Sequence, residues 1–203
     1  MSRSETPRLR GGPVPACFPD NGPVDILIYG EAPGPRGADQ SRVPFWGDGA
    51  GIPLYRALVA AGRAVVPDNA WDPWDGARLR DEALWPTLMG VALSNAFPAC
   101  PTDDGHKFRT PKKAELTSRE NMMRLEGELD LARERGATRI ISLGRCAAMT
   151  LEMLVANRGM TLVAFPHPSS QGLLMSAPGK GRGLKLADLR AAWEERLVSA
   201  LRK

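Results

Sequence analysis

Glu31, Asp48, Asn95, Cys146 and His167 are the side chains whose types and settings offer chemistry. Glu31 and Asp48 lie in one glycine- and proline-rich stretch, GEAPGPRGADQSRVPFWGDGAG, at residues 30–51. Two carboxylates in one loop can do acid–base or electrostatic work. Asp48 also stands where a residue would cap the helix that starts near Ala50. A glycine-rich turn can cradle a phosphate, but neither GxGxxG nor GxxxxGK[ST] is present. His167 is bracketed by Pro166 and Pro168, which stiffen its backbone, and is followed by the hydroxyls of Ser169 and Ser170. With only two histidines and no HExxH, it is not half of a histidine metal pair. Asn95 ends an apolar run, where an asparagine commonly forms a turn. Cys146 falls at a predicted helix N-terminus, which lowers a thiol pKa, so a Cys146–His167 thiol hydrolase is one reading. It lacks an evident third member, and the following Ala147-Ala148 suits a core helix.

These residues need a scaffold, and the apolar pattern predicts one. Short apolar runs at 24–29, 90–95, 139–143 and 161–165 read as buried strands. Helices are expected over 52–61, 111–135, 144–157 and 184–201, the last carrying Leu186, Leu189, Trp193 and Leu197 at helical spacing. Residues 66–88, with Trp71, Trp74 and Trp85, read as a loop and a short helix whose tryptophans pack the domain edge. Alternation of strand and helix predicts a three-layer α/β/α sandwich with a four-stranded, mostly parallel sheet. Sites in such sheets lie beyond the carboxyl ends of the strands. Gly30, Asn95 and His167 all follow strand ends and should converge.

The chain has 203 residues and a formal charge of +4, a size suited to one domain. Residues 1–22, with Arg3, Arg8 and Arg10, read as a basic, poorly ordered arm before a domain over 23–203. The polar N-terminus lacks the apolar segment of a secretory signal, and no run is long enough to span a membrane. Three scattered cysteines are too few for a disulfide framework, so a reducing, cytoplasmic setting is the expectation; a monomer is assumed, since nothing in the sequence reads on oligomeric state. The mild basic excess is compatible with a polyanion partner.

Taken in order, GEAPG, PFWGDGAG, SNAFPACP and HPSSQG resemble the motifs of the uracil-DNA glycosylase superfamily, over about residues 24–193. Gly30–Gly34 is similar to the thermophile-type branch, Gly47–Gly51 to the GDxSG branch, and Gly34–Ala38 with Val43-Pro44-Phe45 to the single-strand-selective branch. The resemblance implies a monofunctional hydrolysis of the N-glycosidic bond of uracil or a modified pyrimidine in DNA. Phe45 would then stack on a flipped base, Asn95 pair with its polar edge, and His167 stabilise the departing base anion. Glu31 or Asp48 would support the oxocarbenium-like sugar and orient water.

Departures matter too. The iron–sulfur branch uses four cysteines; this chain has three and no CxxC, so no cluster, metal or other cofactor is expected. Gly34 and Gly37 stand where relatives place bulk, which suggests a roomier pocket for 5-substituted pyrimidines and a role in repair or in defence against modified phage DNA. Lys107, Arg109, Lys180 and Arg182 are the expected phosphate contacts on single- or double-stranded DNA, with Ser169 and Ser170 on a loop that pinches the backbone. Leu173 or Leu174 is the expected wedge. A non-catalytic nucleic-acid-binding module of the same fold is the alternative reading.

Overall fold

Val24–Gly30 is buried along nearly its whole length, with side chains feeding two separate cores. Ile26 and Ile28 face one side and Leu27 and Tyr29 the other, as period-two alternation requires of a central strand. The computed structural model describes residues 9–203. In chain order its elements are β1 (Val24–Gly30), α1 (Ala38–Ser41), α2 (Gly51–Ala60), β2 (Ala64–Val65), α3 (Gly76–Asp81), β3 (Thr87–Leu88) and β4 (Gly90–Asn95). They continue with α4 (Lys113–Leu116), α5 (Arg119–Glu134), β5 (Arg139–Leu143), α6 (Arg145–Val155), β6 (Thr161–Phe165), α7 (Ser170–Ser176) and α8 (Leu186–Leu201).

The main sheet has the order β4-β1-β5-β6, with every pairing parallel. One face packs on α2 and α8 through Leu54, Leu58, Trp193 and Leu197. The other packs on α5 and α6 through Leu125, Leu129, Leu151 and Leu154. The α/β/α sandwich expected from the apolar runs is therefore the fold, and all its strands are parallel. β2 and β3 form a separate two-residue antiparallel pair that the pattern did not signal. The helix expected over 111–135 is two helices. Ser118 breaks it by capping α5, its hydroxyl accepting from the Asn121 backbone N–H at 3.3 Å.

The N-terminal arm also differs from expectation. Residues 1–8 lie outside the described residues, but residues 9–22 are held on the domain. The buried Asp39 carboxylate accepts from the backbone N–H groups of Arg10 (2.6 Å) and Gly11 (3.0 Å). The Arg42 guanidinium donates to the carbonyls of Gly11, Gly12 and Pro13. Cys17 and Leu93 exchange backbone hydrogen bonds of 2.8 and 2.9 Å, which covers the otherwise open edge of β4. Composition read this segment as loose because its anchors, Asp39, Arg42 and Leu93, are distant in sequence.

Replacing Asp39 by alanine removes two charge-assisted backbone hydrogen bonds. It should lower unfolding stability by about 1–3 kcal/mol in urea titration and make residues 9–17 the first site of limited proteolysis.

Candidate active site

Parallel pairing brings the carboxyl ends of β1, β4, β5 and β6 to one edge of the sheet. Gly30 of β1 stands opposite Asn95 of β4. The ladder runs one rung further: Ala96 N–H donates to Gly30 O (2.8 Å) and Phe97 N–H to Glu31 O (2.9 Å). A Cβ at Gly30 would sit 2.5 Å from the Phe45 ring and 2.6 Å from Asn95 Oδ1. Glycine there lets the aromatic ring and the amide close on the same stretch of backbone. Asn95 is 3 % exposed, and its Nδ2 is buried without a hydrogen-bond partner among the described residues. Buried amide donors are rarely left unsatisfied, so this one points to a ligand. Phe45 has φ = 64°, an uncommon left-handed conformation for a bulky residue. Close packing of Gly51 against the Phe45 carbonyl helps hold it there.

At the other end of this edge, Gly144 N–H donates to Phe165 O (2.8 Å), and the chain leaves β6 through Pro166-His167-Pro168. The Trp193 indole N–H donates to Pro166 O at 2.9 Å. The absent side chains of Gly144 and Gly172 make room for His167: added Cβ atoms would lie 3.2 Å from its Cβ and 2.4 Å from its carbonyl oxygen. His167 Nδ1 accepts from the Ser169 backbone N–H at 3.2 Å. That bond requires Nδ1 to be unprotonated and leaves the proton of the neutral ring on Nε2. Burial lowers the imidazole pKa and favours this neutral form.

The two carboxylates differ. Glu31 is half-buried; burial raises its pKa, and a hydrogen bond from Thr110 partly opposes the rise. Asp48 Oδ2 accepts from the backbone N–H groups of Gly34 (3.2 Å) and Ala38 (3.1 Å). Burial nonetheless raises the Asp48 carboxyl to about 6, against the opposing pull of these amides and that of Gly37. Asp48 does not cap α2, whose first turn has no side-chain cap. Its carbonyl accepts instead from the Trp74 indole at 2.8 Å.

This corrects the reading of Gly34 and Gly37. Added Cβ atoms would lie 2.1 Å from Asp48 Oδ1 and 2.0 Å from the Asp48 backbone nitrogen. Their missing side chains house Asp48 rather than open room beside a base. Three further expectations meet partners within the protein. Arg109 is engaged by Glu115 (2.7 Å) and Asp103 (3.0 Å), so it braces the loop after β4. The Ser169 hydroxyl caps α7 by accepting from Gly172 N–H (3.1 Å), and Ser170 accepts from Arg190 (3.0 Å). Leu173 is 3 % exposed and belongs to the core, so it is not a wedge; Leu174 is partly buried. Lys107, Lys180 and Arg182 remain exposed.

Trp71 and Trp74 stack at 5.4 Å, and Trp74 packs on Trp46, as domain-edge residues should; Trp85 is exposed. Cys146 lies near Glu31, and its thiol is pushed up to about 11 by burial and then by that charge. A protonated thiol is a poor nucleophile, which argues against the thiol hydrolase. The residues also do not fit a four-thiolate cluster. Cys17 packs towards the α2/α8 side of the sheet and Cys146 towards the α5/α6 side. Among the described residues no group of three His, Cys, Asp or Glu side chains is placed to hold a metal, and no helix is long and apolar enough to cross a membrane. Thr110 and Arg124, which contacts the end of β4, were missed because only their tertiary partners give them meaning.

Gly37→Ala should cost roughly 1–3 kcal/mol of stability through overpacking. By carbon-13 NMR, Asp48 should titrate near pH 6 in the wild type and lower in the variant, as the enclosure opens. Because folding raises this pKa, the group's contribution to stability is greatest below its unfolded value. It is lost as pH rises through about 6.

The family model of the uracil DNA glycosylase superfamily matches residues 19–195. A type-5 uracil-DNA glycosylase from Thermus thermophilus is 34 % identical over 160 residues, covering 78 % of this chain. The match spans 61 % of that relative's length. A solution NMR structure of a candidate uracil DNA glycosylase from Methanosarcina acetivorans aligns over 93 % of this chain and 96 % of its own, at 17 % identity and a TM-score of 0.49. With the family model covering most of the domain and its motifs falling at the strand ends, the chain belongs to the uracil-DNA glycosylase superfamily.

Proposed function

We propose that the protein is a monofunctional DNA glycosylase that releases uracil and leaves an abasic site. The observation that carries this reading is the unpartnered, buried Asn95 amide beside the Phe45 ring at Gly30. An aromatic face and an amide at one place can stack on a planar base and hydrogen-bond its edge, which is how a flipped base is read. The neutral His167 tautomer supports the same chemistry. Its Nε2–H can donate to the oxygen on which negative charge builds as the base leaves, without surrendering the proton. Glu31 or Asp48 then steadies the cationic sugar and orients the attacking water. Exposed Lys107, Lys180 and Arg182 supply phosphate contacts on DNA, and the protein acts as a monomer.

Uracil and the repair of deaminated cytosine are the substrate and role proposed first. Release of 5-substituted pyrimidines, and defence against modified phage DNA, drew on an open space beside Gly34 and Gly37 that Asp48 fills. A panel of 5-hydroxymethyluracil and modified cytosines, read by mass detection of free base, tests that extension.

The central test is base release from a uracil-containing oligonucleotide. His167→Ala should lose at least about 10²–10³ in single-turnover rate with DNA binding retained. Full activity in that variant, or a borohydride-trapped protein–DNA adduct, contradicts the mechanism. Comparing Glu31→Gln with Asp48→Asn identifies the more important carboxylate. If it is Asp48, acting ionised, the rate should fall about tenfold per pH unit below about pH 6, and that acid limb should vanish in Asp48→Asn.

A further inference from the structure

We infer that Arg124 is a positioning residue for Asn95 and, through it, a determinant of which base the site accepts. The inference rests on the glycosylase reading above.

Asn95 directs its side chain towards Phe45, whereas the preceding Ser94 faces α5. The end of β4 therefore presents its backbone to α5, and Arg124 meets it there. Arg124 Nη2 donates to the carbonyl oxygens of Asn95 (2.9 Å) and Ala96 (3.1 Å). Its Nη1 donates to Glu128 Oε1 at 2.5 Å. Asn121 Oδ1 accepts from Nε and Nη2, while Asn121 Nδ2 donates to Ala96 O (2.9 Å) and Leu116 O (2.8 Å). Glu128 Oε2 in turn accepts from Tyr29 Oη (3.0 Å) and Ser94 Oγ (2.7 Å).

This network grips the peptide groups immediately after the Asn95 Cα. Beyond the sheet, the rungs from Ala96 and Phe97 back to β1 and the Val14 N–H on Pro98 O also restrain this turn. A planar guanidinium can hold two carbonyls and a carboxylate together, whereas an ammonium lacks the fixed fork to do so. The Arg124 and Glu128 side chains are only 22 % and 13 % exposed, so water competes weakly. The direction of the Asn95 amide decides which pattern of donors and acceptors it can pair with. Small misplacements of such groups carry large rate penalties.

The test is a double-mutant cycle in single-turnover uracil release, with stability measured in parallel. Arg124→Gln should slow the wild type by about 10–100-fold. It should change the Asn95→Ala background by less than about twofold, because the partner through which it acts is gone. Arg124→Lys keeps the pair with Glu128 and should recover stability but not rate. Selectivity for uracil over cytosine, which presents an amino group where uracil has a carbonyl, should narrow in both Arg124 variants. If Arg124→Gln does not fold, Arg124→Lys runs the cycle. Equilibrium affinity for a uracil-containing oligonucleotide gives a second readout that needs no turnover. Equal losses in both backgrounds, or rate recovering with stability in the lysine variant, overturn the positioning role alone. A wild-type protein that releases no base overturns this inference together with the functional reading.

Discussion

Parallel pairing of neighbouring strands obliges the chain to cross over and re-enter each strand from the same edge, so every carboxyl end emerges together. In this protein that constraint places Gly30 beside Asn95 and the end of β6 beside the end of β5. The candidate site then depends on what four adjacent strand ends carry. Gly30 and Asn95, distant in sequence, meet on that edge through the strand pairing itself. The packing of two helical layers on β1 keeps that edge in register, since a one-residue slip would exchange Ile26 and Ile28 for Leu27 and Tyr29 between the cores.

β1, β4 and β5 were legible because burial on both faces leaves a continuous apolar run, and the edge strand β6 because its run is apolar although only Phe165 is fully buried. The expected spans 139–143 and 161–165 coincide with β5 and β6. His167 and Asn95 were legible as strand-end residues, and the family motifs offered roles for them. What escaped was information stored between distant residues. The destination of the Asp48 side chain depends on backbone amides at positions 34, 37 and 38, and no local pattern announces it. The break between α4 and α5 was visible only as Ser118, one polar residue among many. Arg109 looked like a phosphate contact because sequence displays charge but not the Asp103 and Glu115 side chains that engage it.

Electrostatically, the strand-end region combines enclosure with selective support. Burial pushes Glu31, Asp48 and Cys146 upwards and His167 downwards, in each case towards the neutral form. Backbone amides counter that tendency at Asp48 and not at Cys146. The region therefore favours a neutral imidazole and a protonated thiol, while giving one carboxylate fixed dipoles that support its charge. Preorganised dipoles of this kind require little rearrangement when charge develops in a reaction.

The tight fit of Asp48 against Gly34 and Gly37 has a consequence for how such sequences can diverge. A side chain cannot be added at either glycine while Asp48 keeps its present place, because the new Cβ would meet it near 2 Å. The three positions therefore form one unit of inheritance. Bulk at 34 becomes accessible once the side chain at 48 has shrunk or moved, whereas bulk at 37 meets the backbone of 48 and requires the loop itself to move first. Sequences that carry a larger residue at position 37 are then expected to hold the loop around position 48 in a different place.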